Sequence, residues 1–377
     1  MILNQINEDA MLIDAHAHVY PRLGTDSGDQ GKDVQLKLIQ HHVQYHVQGW
    51  RRRRDHARAD LSLLMPSGDG ISYQPEVNLR VAHYGQLECT VDGEDYYLQW
   101  YPCWFRDMSA PPELMIAYMD YLGVEMAVLQ HDHIYGSLDE VFSDCMQRYP
   151  GRFLPLAQVR EWEADQETQV QRLEHSIRSR GFKGLYFAVE PLTMNDWQFH
   201  LDDRRLEPLW QTVEDLGIPI FWYLYTSHRD SVKAYLDQVE RLDRWAKAHP
   251  SIPCVHTHGL DIIAMRLGRP DSERFDIPAA VLNCLKNPNM HVEIMLQLMA
   301  PDTEYPFPWA QETLRMLHGE LGPEKLIWGS DMPAAERNVT YRQARDYVRR
   351  HAEFMSEADK DLFFGENVAR VLGLDAR

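Results

Sequence analysis

Several features of membrane, secreted and nucleic-acid-binding proteins are missing from this chain of 377 residues. No apolar run is long enough to span a bilayer, and the first residues, MILNQINEDA, lack the basic start and apolar core of a signal peptide. Basic residues are scarce: 38 Lys and Arg against 57 Asp and Glu give a net charge of −19, which argues against nucleic acid or an anionic membrane as a partner. The 5 cysteines, an odd number without metal-motif spacing, indicate free thiols in a reducing compartment. We therefore expect a cytoplasmic protein that binds a small molecule.

Eight short apolar runs follow one another along the chain, each of strand length and rich in β-branched or aromatic residues. Segments with helical periodicity separate them, as in DRRLEPLWQTVEDLG, which ends in a glycine suited to a helix stop. This alternation predicts one α/β domain over residues 1–377, a (β/α)₈ TIM barrel. The alternative, a doubly wound open sheet, would require a glycine-rich phosphate turn after the first run, and none is present. The runs are residues 11–16, 124–131, 152–159, 181–189, 218–224, 252–258, 290–296 and 325–331.

The first two runs lie too far apart for a bare loop, and we expect residues 20–105 to form an insertion. Its first half, residues 33–61, has a helical pattern that includes the basic run RRRR at 51–54, interpreted as a solvated helix face or an anion-contacting patch. Its second half predicts a β-hairpin around Asp92-Gly93. Because the insertion follows the first strand, it should cap the C-terminal mouth of the barrel.

Polar side chains end several of the runs, and functional residues of such barrels lie at the C-terminal ends of strands. The first run leads into IDAHAH, where alternation along a strand places His16 and His18 on one face. The sixth run ends in His256 and His258, again one residue apart and therefore predicted to share a face. The eighth run ends in Asp331, within WGSDMP. We expect these groups to converge, and two imidazoles side by side suit either two ligands of one metal ion or a polar pair at the mouth of a site.

Three of these motifs together resemble the amidohydrolase superfamily: IDAHAH on the first strand, HTHG on the sixth and IWGSDMP on the eighth. Two further segments, PPELMIAYMDYLGVEMAVL and FFGENVARVLGL, are similar to the amidohydrolase-related branch that includes aminocarboxymuconate-semialdehyde decarboxylase. The resemblance covers essentially the whole barrel but not most of residues 20–105.

The resemblance implies a single divalent metal ion bound by His16, His18 and Asp331, with zinc expected and manganese as the alternative. It also implies that Asp331 accepts a proton from water at the metal and that His258 contacts substrate and assists catalysis. Glu293, on the seventh strand, is interpreted as a partner of a site residue or as a packed, hydrogen-bonded carboxylate.

The fifth strand departs from the family pattern, because Tyr223 stands where a histidine ligand is usual. His256 or His228 is the alternative source of that ligand. We expect Tyr223 and His256 to contact substrate, and Arg106 either to clamp a substrate carboxylate or to form a surface ion pair.

The sequence thus predicts a metal-dependent hydrolase that acts on a small carboxylated or lactone-like compound through metal-activated water. A non-oxidative decarboxylase is the alternative, because the same residues can serve either reaction. A second alternative is an inactive barrel used as a binding module, which Tyr223 in the ligand position keeps open. A homodimer is implied by the resemblance alone.

Overall fold

The computed structural model describes residues 11–44, 49–59, 65–68, 70–224, 231–258, 276–295 and 304–374. No helix within these ranges is both long and apolar enough to cross a lipid bilayer. The strands are β1 (Ile13–Ala17), β2 (Trp50–Arg52), β3 (Arg80–Val81), β4 (Gln86–Val91), β5 (Glu94–Gln99), β6 (Met126–Leu129), β7 (Phe153–Pro155), β8 (Ala157–Gln158), β9 (Leu185–Ala188), β10 (Ile220–Tyr223), β11 (Cys254–His256), β12 (Met290–Ile294) and β13 (Leu326–Trp328). The α-helices are α1 (Lys32–Val43), α2 (Pro112–Leu122), α3 (Asp139–Arg148), α4 (Glu167–Arg178), α5 (Glu207–Leu216), α6 (Ser231–Ala248), α7 (Ala279–Leu285), α8 (Pro308–Leu321), α9 (Tyr341–Arg349), α10 (Glu357–Asp361) and α11 (Asn367–Val371).

The parallel strands alternate with helices, which confirms the α/β class predicted from the sequence. One sheet has the order β1-β6-β7, and a six-stranded sheet has the order β13-β12-β11-β10-β9-β8. Each of these strands overlaps one of the eight predicted apolar runs, and β1 extends one residue beyond its run, to Ala17. The third run supplies both β7 and β8, which only Leu156 separates.

The two faces of the parallel strands pack against different partners. One face contributes to an inner cluster of apolar side chains, closed at one end by residues 368–372. The other face packs on the helices: the Trp222 ring of β10 lies 5.4 Å from the Trp210 ring of α5 and 4.8 Å from the Trp245 ring of α6. The members of the inner cluster from the strands, and from Leu156 between β7 and β8, are Ile13, Ala15, Val128, Leu154, Leu156, Tyr186, Ala188, Phe221, Tyr223, Val255 and Ile327.

Hydrogen bonds join the ends of β1 and β13, the first and last parallel strands. The amide of His18 donates to the Met332 carbonyl at 2.8 Å, and the amide of Asp331 donates to the His16 carbonyl at 2.9 Å. The buried Asp14 carboxyl accepts from the Ser330 amide at 2.9 Å and lies in the same contact region. These bonds hold two strands that are more than 300 residues apart in sequence next to each other.

The described residues between β1 and β6 form α1 and an antiparallel sheet with the order β2-β5-β4-β3. The β4-β5 hairpin turns at Asp92-Gly93, where both residues have positive φ, 50° and 79°, as a two-residue turn of this twist requires.

The helical pattern predicted for residues 33–61 is only partly right. Helix α1 ends at Val43, and the first two arginines of the basic run belong to strand β2. Trp50, at the start of β2, is buried and pairs with Leu98, so apolar packing favours a strand here. Arg53 and Arg54 form ion pairs with Glu88 and Glu94 of the same sheet, so this run is not a solvated helix face.

Candidate active site

A β-bulge in β1 directs both histidines toward the neighbouring strands. Asp14 is in register with Ala127 and Ala17 with Leu129, so three steps along β1 match two steps along β6. One extra residue of this kind re-aims the side chains that follow it. Although Ala15 belongs to the inner cluster, the next side chain, His16, also points inward.

Three buried side chains meet at the ends of β1 and β13. The Nε2 atoms of His16 and His18 lie 3.0 Å apart. Asp331 Oδ1 lies 2.9 Å from His18 Nε2 and 3.7 Å from His16 Nε2. The ligand atoms of all three residues fall within 4.8 Å of one another. We call this group the ligand cluster.

Acceptor oxygens hold the far side of each imidazole in the ligand cluster. His18 Nδ1 donates to the Gln130 carbonyl oxygen at 3.1 Å, and that oxygen can only accept. His16 Nδ1 lies 2.7 Å from Glu293 Oε1. Both oxygens of Glu293 also accept N–H groups, from the Gln130 side chain at 2.7 Å and from the His258 amide at 3.4 Å. A neutral tautomer with hydrogens on both Nδ1 atoms, the form that binds a metal ion, would direct both Nε2 lone pairs toward Asp331.

The chain around Asp331 is shaped to bring its carboxylate to the histidines. Asp331 has a φ of 58°, a left-handed conformation that costs on the order of 1–3 kcal/mol outside glycine. Gly329, two residues earlier, leaves no space for a side chain, since a Cβ there would lie 2.8 Å from His16 Cβ and 2.9 Å from Glu293 Cδ. Burial tends to raise the pKa of Asp331, but the hydrogen bond and charge of His18 outweigh it and lower that pKa.

His258 lies next to the ligand cluster, with its ring 4.6 Å from the His16 ring. Thr257 Oγ1 donates to the Trp222 carbonyl at 3.2 Å and therefore accepts from His258 Nδ1 at 2.8 Å. This arrangement leaves Nε2 as the basic nitrogen of His258. Burial lowers the pKa of His258 well below its ordinary value, so the imidazole is neutral.

Tyr223 and Gln158 border the same region from the strands across the inner cluster. The Tyr223 ring lies 4.1 Å from the His258 ring, and the Tyr186 ring lies 6.4 Å from the Tyr223 ring. Gln158 is in register with Tyr186 and so points to the same face. Its side chain is 1% exposed, and both amide atoms are without a hydrogen-bond partner in the described part of the chain.

Two residues expected at the site lie elsewhere. The prediction that His256 and His258 share a face is wrong: His256 points to the helix side, with Nε2 3.0 Å from the Tyr235 hydroxyl of α6. The φ of 64° at His258 breaks the alternation of the strand. Arg106 is exposed, and its side chain makes no ion pair or hydrogen bond with the residues that the structure describes. His228, the other alternative ligand, lies outside the described residues.

A group of tyrosines that the sequence analysis missed adjoins His18. The Tyr135 ring lies 4.8 Å from the His18 ring and stacks on Tyr20 at 4.3 Å. The Tyr101 hydroxyl lies 3.3 Å from the Tyr135 hydroxyl. Gln130 was missed as well, although it follows the second strand directly and the strand-end criterion would have found it. Tyr101 carried no such signal, because it comes from the segment between β1 and β6.

A second buried polar group connects α1 to the segment after β9. Glu190 accepts from His41 Nδ1 at 2.9 Å and from His42 Nδ1 at 3.3 Å. Burial works against ionisation of Glu190, but the two histidines lower its pKa well below the ordinary value. Burial likewise opposes charge on His42, and Glu190 reverses this and raises the pKa of His42.

Comparison with known proteins identifies relatives of the whole parallel-strand region. A profile of the family described as amidohydrolase matches residues 13–374. The 4-sulfomuconolactone hydrolase of Hydrogenophaga intermedia is 23% identical over 232 residues, which are 60% of this chain and 66% of that enzyme, slightly less than two thirds of its length.

Solved structures share the fold at low sequence identity. A probable 2-pyrone-4,6-dicarboxylic acid hydrolase from Acinetobacter baumannii, with citric acid bound, has a TM-score of 0.56 at 18% identity, covering 71% of this chain and 91% of its own. A 2,6-dihydroxybenzoate decarboxylase from Rhizobium has a TM-score of 0.54 at 16% identity, covering 71% of this chain and 90% of its own.

Proposed function

The chain belongs to the amidohydrolase family, and from that premise we propose that it is a metal-dependent hydrolase of a small carboxylated or lactone-like compound. Members of this family generally depend on a divalent metal ion. The name of the relative from Hydrogenophaga intermedia, a lactone hydrolase, favours the same reaction class. We propose zinc as the ion, with manganese as the alternative, and one ion per chain.

One observation carries the metal assignment: three acceptor atoms converge in a buried position. The Nε2 atoms of His16 and His18 lie 3.0 Å apart, and that of His18 lies 2.9 Å from the Asp331 carboxylate. A proton on His18 would satisfy one of these contacts, whereas a divalent cation would satisfy all three. Two imidazoles and one carboxylate, with a further position open, match the ligand sets of catalytic zinc.

Electrostatics around the ligand cluster favour the same assignment. Burial lowers the pKa of His16 to about 3 and raises that of Glu293 to about 8. A neutral His16 therefore brings no positive charge to the buried Asp331 and Glu293 carboxyls. A cation beside His16 Nε2 would offset the cost of keeping both carboxylates ionised.

In this proposal each group of the chain has one task. A bound divalent ion supplies Lewis acidity that lowers the pKa of water at the site. Asp331 orients the attacking water and takes its proton. His258, neutral and basic at Nε2, contacts the substrate, receives at Nε2 the proton that Asp331 took from water, and passes it to the leaving oxygen. Tyr223 and the unpaired amide of Gln158 bind polar substrate atoms across from the ligand cluster.

We also propose that the parallel strands close into one (β/α)₈ barrel and that residues 20–105 cap its C-terminal mouth. Closure is supported by the hydrogen bonds between the ends of β1 and β13 and by the single residue between β7 and β8. The cap is supported by the contacts of His41 and His42 with Glu190, and by the contact of Tyr101 with Tyr135. A single domain over residues 1–377 follows from this arrangement.

The expected surroundings of the enzyme are proposals as well. The family resemblance favours a homodimer, which sedimentation analysis of the purified protein would test. The 5 free cysteines favour a reducing compartment such as the cytoplasm.

The reaction is tested by comparing two products from protein loaded with zinc or manganese. Carboxylated muconolactones and pyrones are supplied as lactone substrates, and acid release is followed at constant pH. Dihydroxybenzoates are supplied in parallel, and carbon dioxide is measured. Acid release by the lactones, lost in Asp331→Asn while the protein remains folded, supports the hydrolase. Carbon dioxide release without lactone hydrolysis would favour the decarboxylase, and protein that binds neither metal and is inactive in both assays would favour a binding module.

A further inference from the structure

Arg337 lies six residues beyond Asp331, at the end of the short 3₁₀ helix Ala334–Arg337. Its Nε donates to the Ala334 carbonyl at 3.0 Å, and its guanidinium lies over the Tyr101 ring at 5.5 Å from the ring centre. Within the ranges that the structure describes, Arg337 forms no ion pair with a carboxylate. Its half-buried guanidinium therefore has no carboxylate within ion-pair distance among the described residues, although its charge acts on the buried Asp331.

This lack of a partner is unusual in a chain with 57 acidic and 38 basic residues. Several other arginines that are partly shielded from solvent pair with carboxylates, as Arg172 does with Asp139 at 2.8 Å and Arg241 with Asp202 at 2.8 Å. An arginine kept without such a partner is available for an external anion, which its planar fork can bind through two parallel hydrogen bonds.

A cavity of about 410 Å³ lies beside this guanidinium. Leu98, Trp100 and Tyr101 form one wall, and residues 336–338 form the other. The volume falls within the range of small-molecule pockets, and such pockets are mostly apolar with a few polar groups. Trp100 Nε1 is buried without a hydrogen-bond partner among the described residues. Glu336, the acidic residue of the wall, is already engaged by the Tyr118 hydroxyl.

Short contacts connect this cavity to the ligand cluster. Arg337 covers Tyr101, the Tyr101 hydroxyl lies 3.3 Å from that of Tyr135, and the Tyr135 ring lies 4.8 Å from the His18 ring. The charge of Arg337 also reaches the site: burial raises the pKa of Tyr101, and Arg337 is the largest influence acting against it. These contacts run through the buried rings of Tyr101 and Tyr135 and so link the wall of the cavity to the ligand cluster.

We propose that Arg337 is a specificity-determining residue that binds a carboxylate of the substrate, with the body of the substrate against Trp100 and Tyr101. The inference deepens the proposed function and rests on it. It assigns the recognition of the carboxylate to Arg337, whereas the sequence pattern had pointed to Arg106.

The test measures binding of two flat probes of the same shape, benzene-1,3-dicarboxylate and its neutral diamide, to the protein as purified. Calorimetry should show that the wild-type protein prefers the dianion. Arg337→Gln should weaken dianion binding by about ten- to hundredfold, because a charge-assisted hydrogen-bonded pair is lost, and should leave diamide binding unchanged. Arg337→Lys, which keeps the charge but not the fork, should retain part of the preference. Arg106→Gln is the matched control and should behave as the wild type.

Equal binding of both probes by the wild-type protein, or an unchanged preference in Arg337→Gln, would overturn the inference. An equal loss of dianion binding in Arg106→Gln would overturn it as well, because the weaker binding would then come from the lower positive charge of the protein and not from the position of Arg337. Thermal unfolding of each variant checks the fold, and Arg337→Lys carries the test if Arg337→Gln is unstable. Binding is measured without turnover, so a protein that shows the preference but hydrolyses no lactone would contradict the proposed reaction and leave this inference standing.

Discussion

Replacement of Glu293 by glutamine tests whether the buried hydrogen bonds behind the ligand cluster prepare it for a metal ion. One oxygen of Glu293 faces His16 Nδ1 at 2.7 Å, and the other faces the side-chain nitrogen of Gln130 at 2.7 Å. In the metal-bound protein, where the cation keeps Glu293 ionised, an amide nitrogen in either position of Glu293→Gln would place two donors against each other. Rotating the Gln130 amide by 180° would not remove the clash, because its nitrogen also donates to the Ala15 carbonyl at 2.8 Å and that hydrogen bond would be lost.

The expected cost follows from the tautomer of His16. If the new amide nitrogen faces Nδ1, the imidazole proton moves to Nε2 and blocks the lone pair that a metal ion would use. If it faces Gln130, a buried donor is left unsatisfied. Loss of such a supporting partner typically reduces metal affinity by about 10- to 100-fold, which corresponds to about 1.4–2.7 kcal/mol. Competition with a chromophoric chelator measures the zinc affinity of both proteins directly.

Glu161→Gln provides a matched control, because Glu161 is also fully buried and also pairs with a histidine, His133, at 2.5 Å. This variant should lose thermal stability but bind zinc as the wild type does. Zinc affinity in Glu293→Gln equal to that of the wild type would refute the reasoning. An equal loss in both variants would show that the effect comes from general destabilisation.

Three further predictions follow from the same geometry. Gly329→Ala places a Cβ against His16 and should cost about 1–3 kcal/mol of stability and lower the metal content; unchanged melting temperature and metal content would contradict this. Glu190→Gln should lower the melting temperature most between about pH 4.5 and pH 6.5. The lowered pKa of Glu190 stabilises the fold above pH 4.5 and is lost in acid, whereas the raised pKa of His42 stabilises it below pH 6.5 and is lost as the pH rises. A difference between the two proteins that does not depend on pH would contradict this pairing. Cys103 is the exposed cysteine, and the other cysteines are buried, so one thiol per chain should react rapidly with a disulfide reagent; two or more fast thiols would disagree with the fold.

The apolar runs and the strand ends were predictable, because burial and alternation leave a local pattern in the sequence. His16 and His18 were correctly expected to share a face, but the bulge that turns that face inward was not visible. A bulge depends on the register with β6, which is set by the packing of the whole sheet rather than by the residues of β1.

The errors arose where the backbone leaves regular geometry. His256 was assigned to the site because strand alternation was extended to His258, whose positive φ ends that alternation. Arg337, which we propose to bind the substrate carboxylate, was not predicted because the strand-end criterion stops at Asp331, whereas a 3₁₀ turn brings the chain back toward Tyr101. Contacts between segments far apart in sequence decide both positions, and a single sequence does not contain them.

The central claim is that His16, His18 and Asp331 together hold one divalent ion, and anomalous X-ray diffraction at the zinc edge tests it most directly. Crystals of protein grown with zinc should give one strong anomalous peak, about 2.0–2.2 Å from the Nε2 atoms of both histidines and from a carboxylate oxygen of Asp331. No peak between these three side chains, or a peak only at another position, would contradict the account.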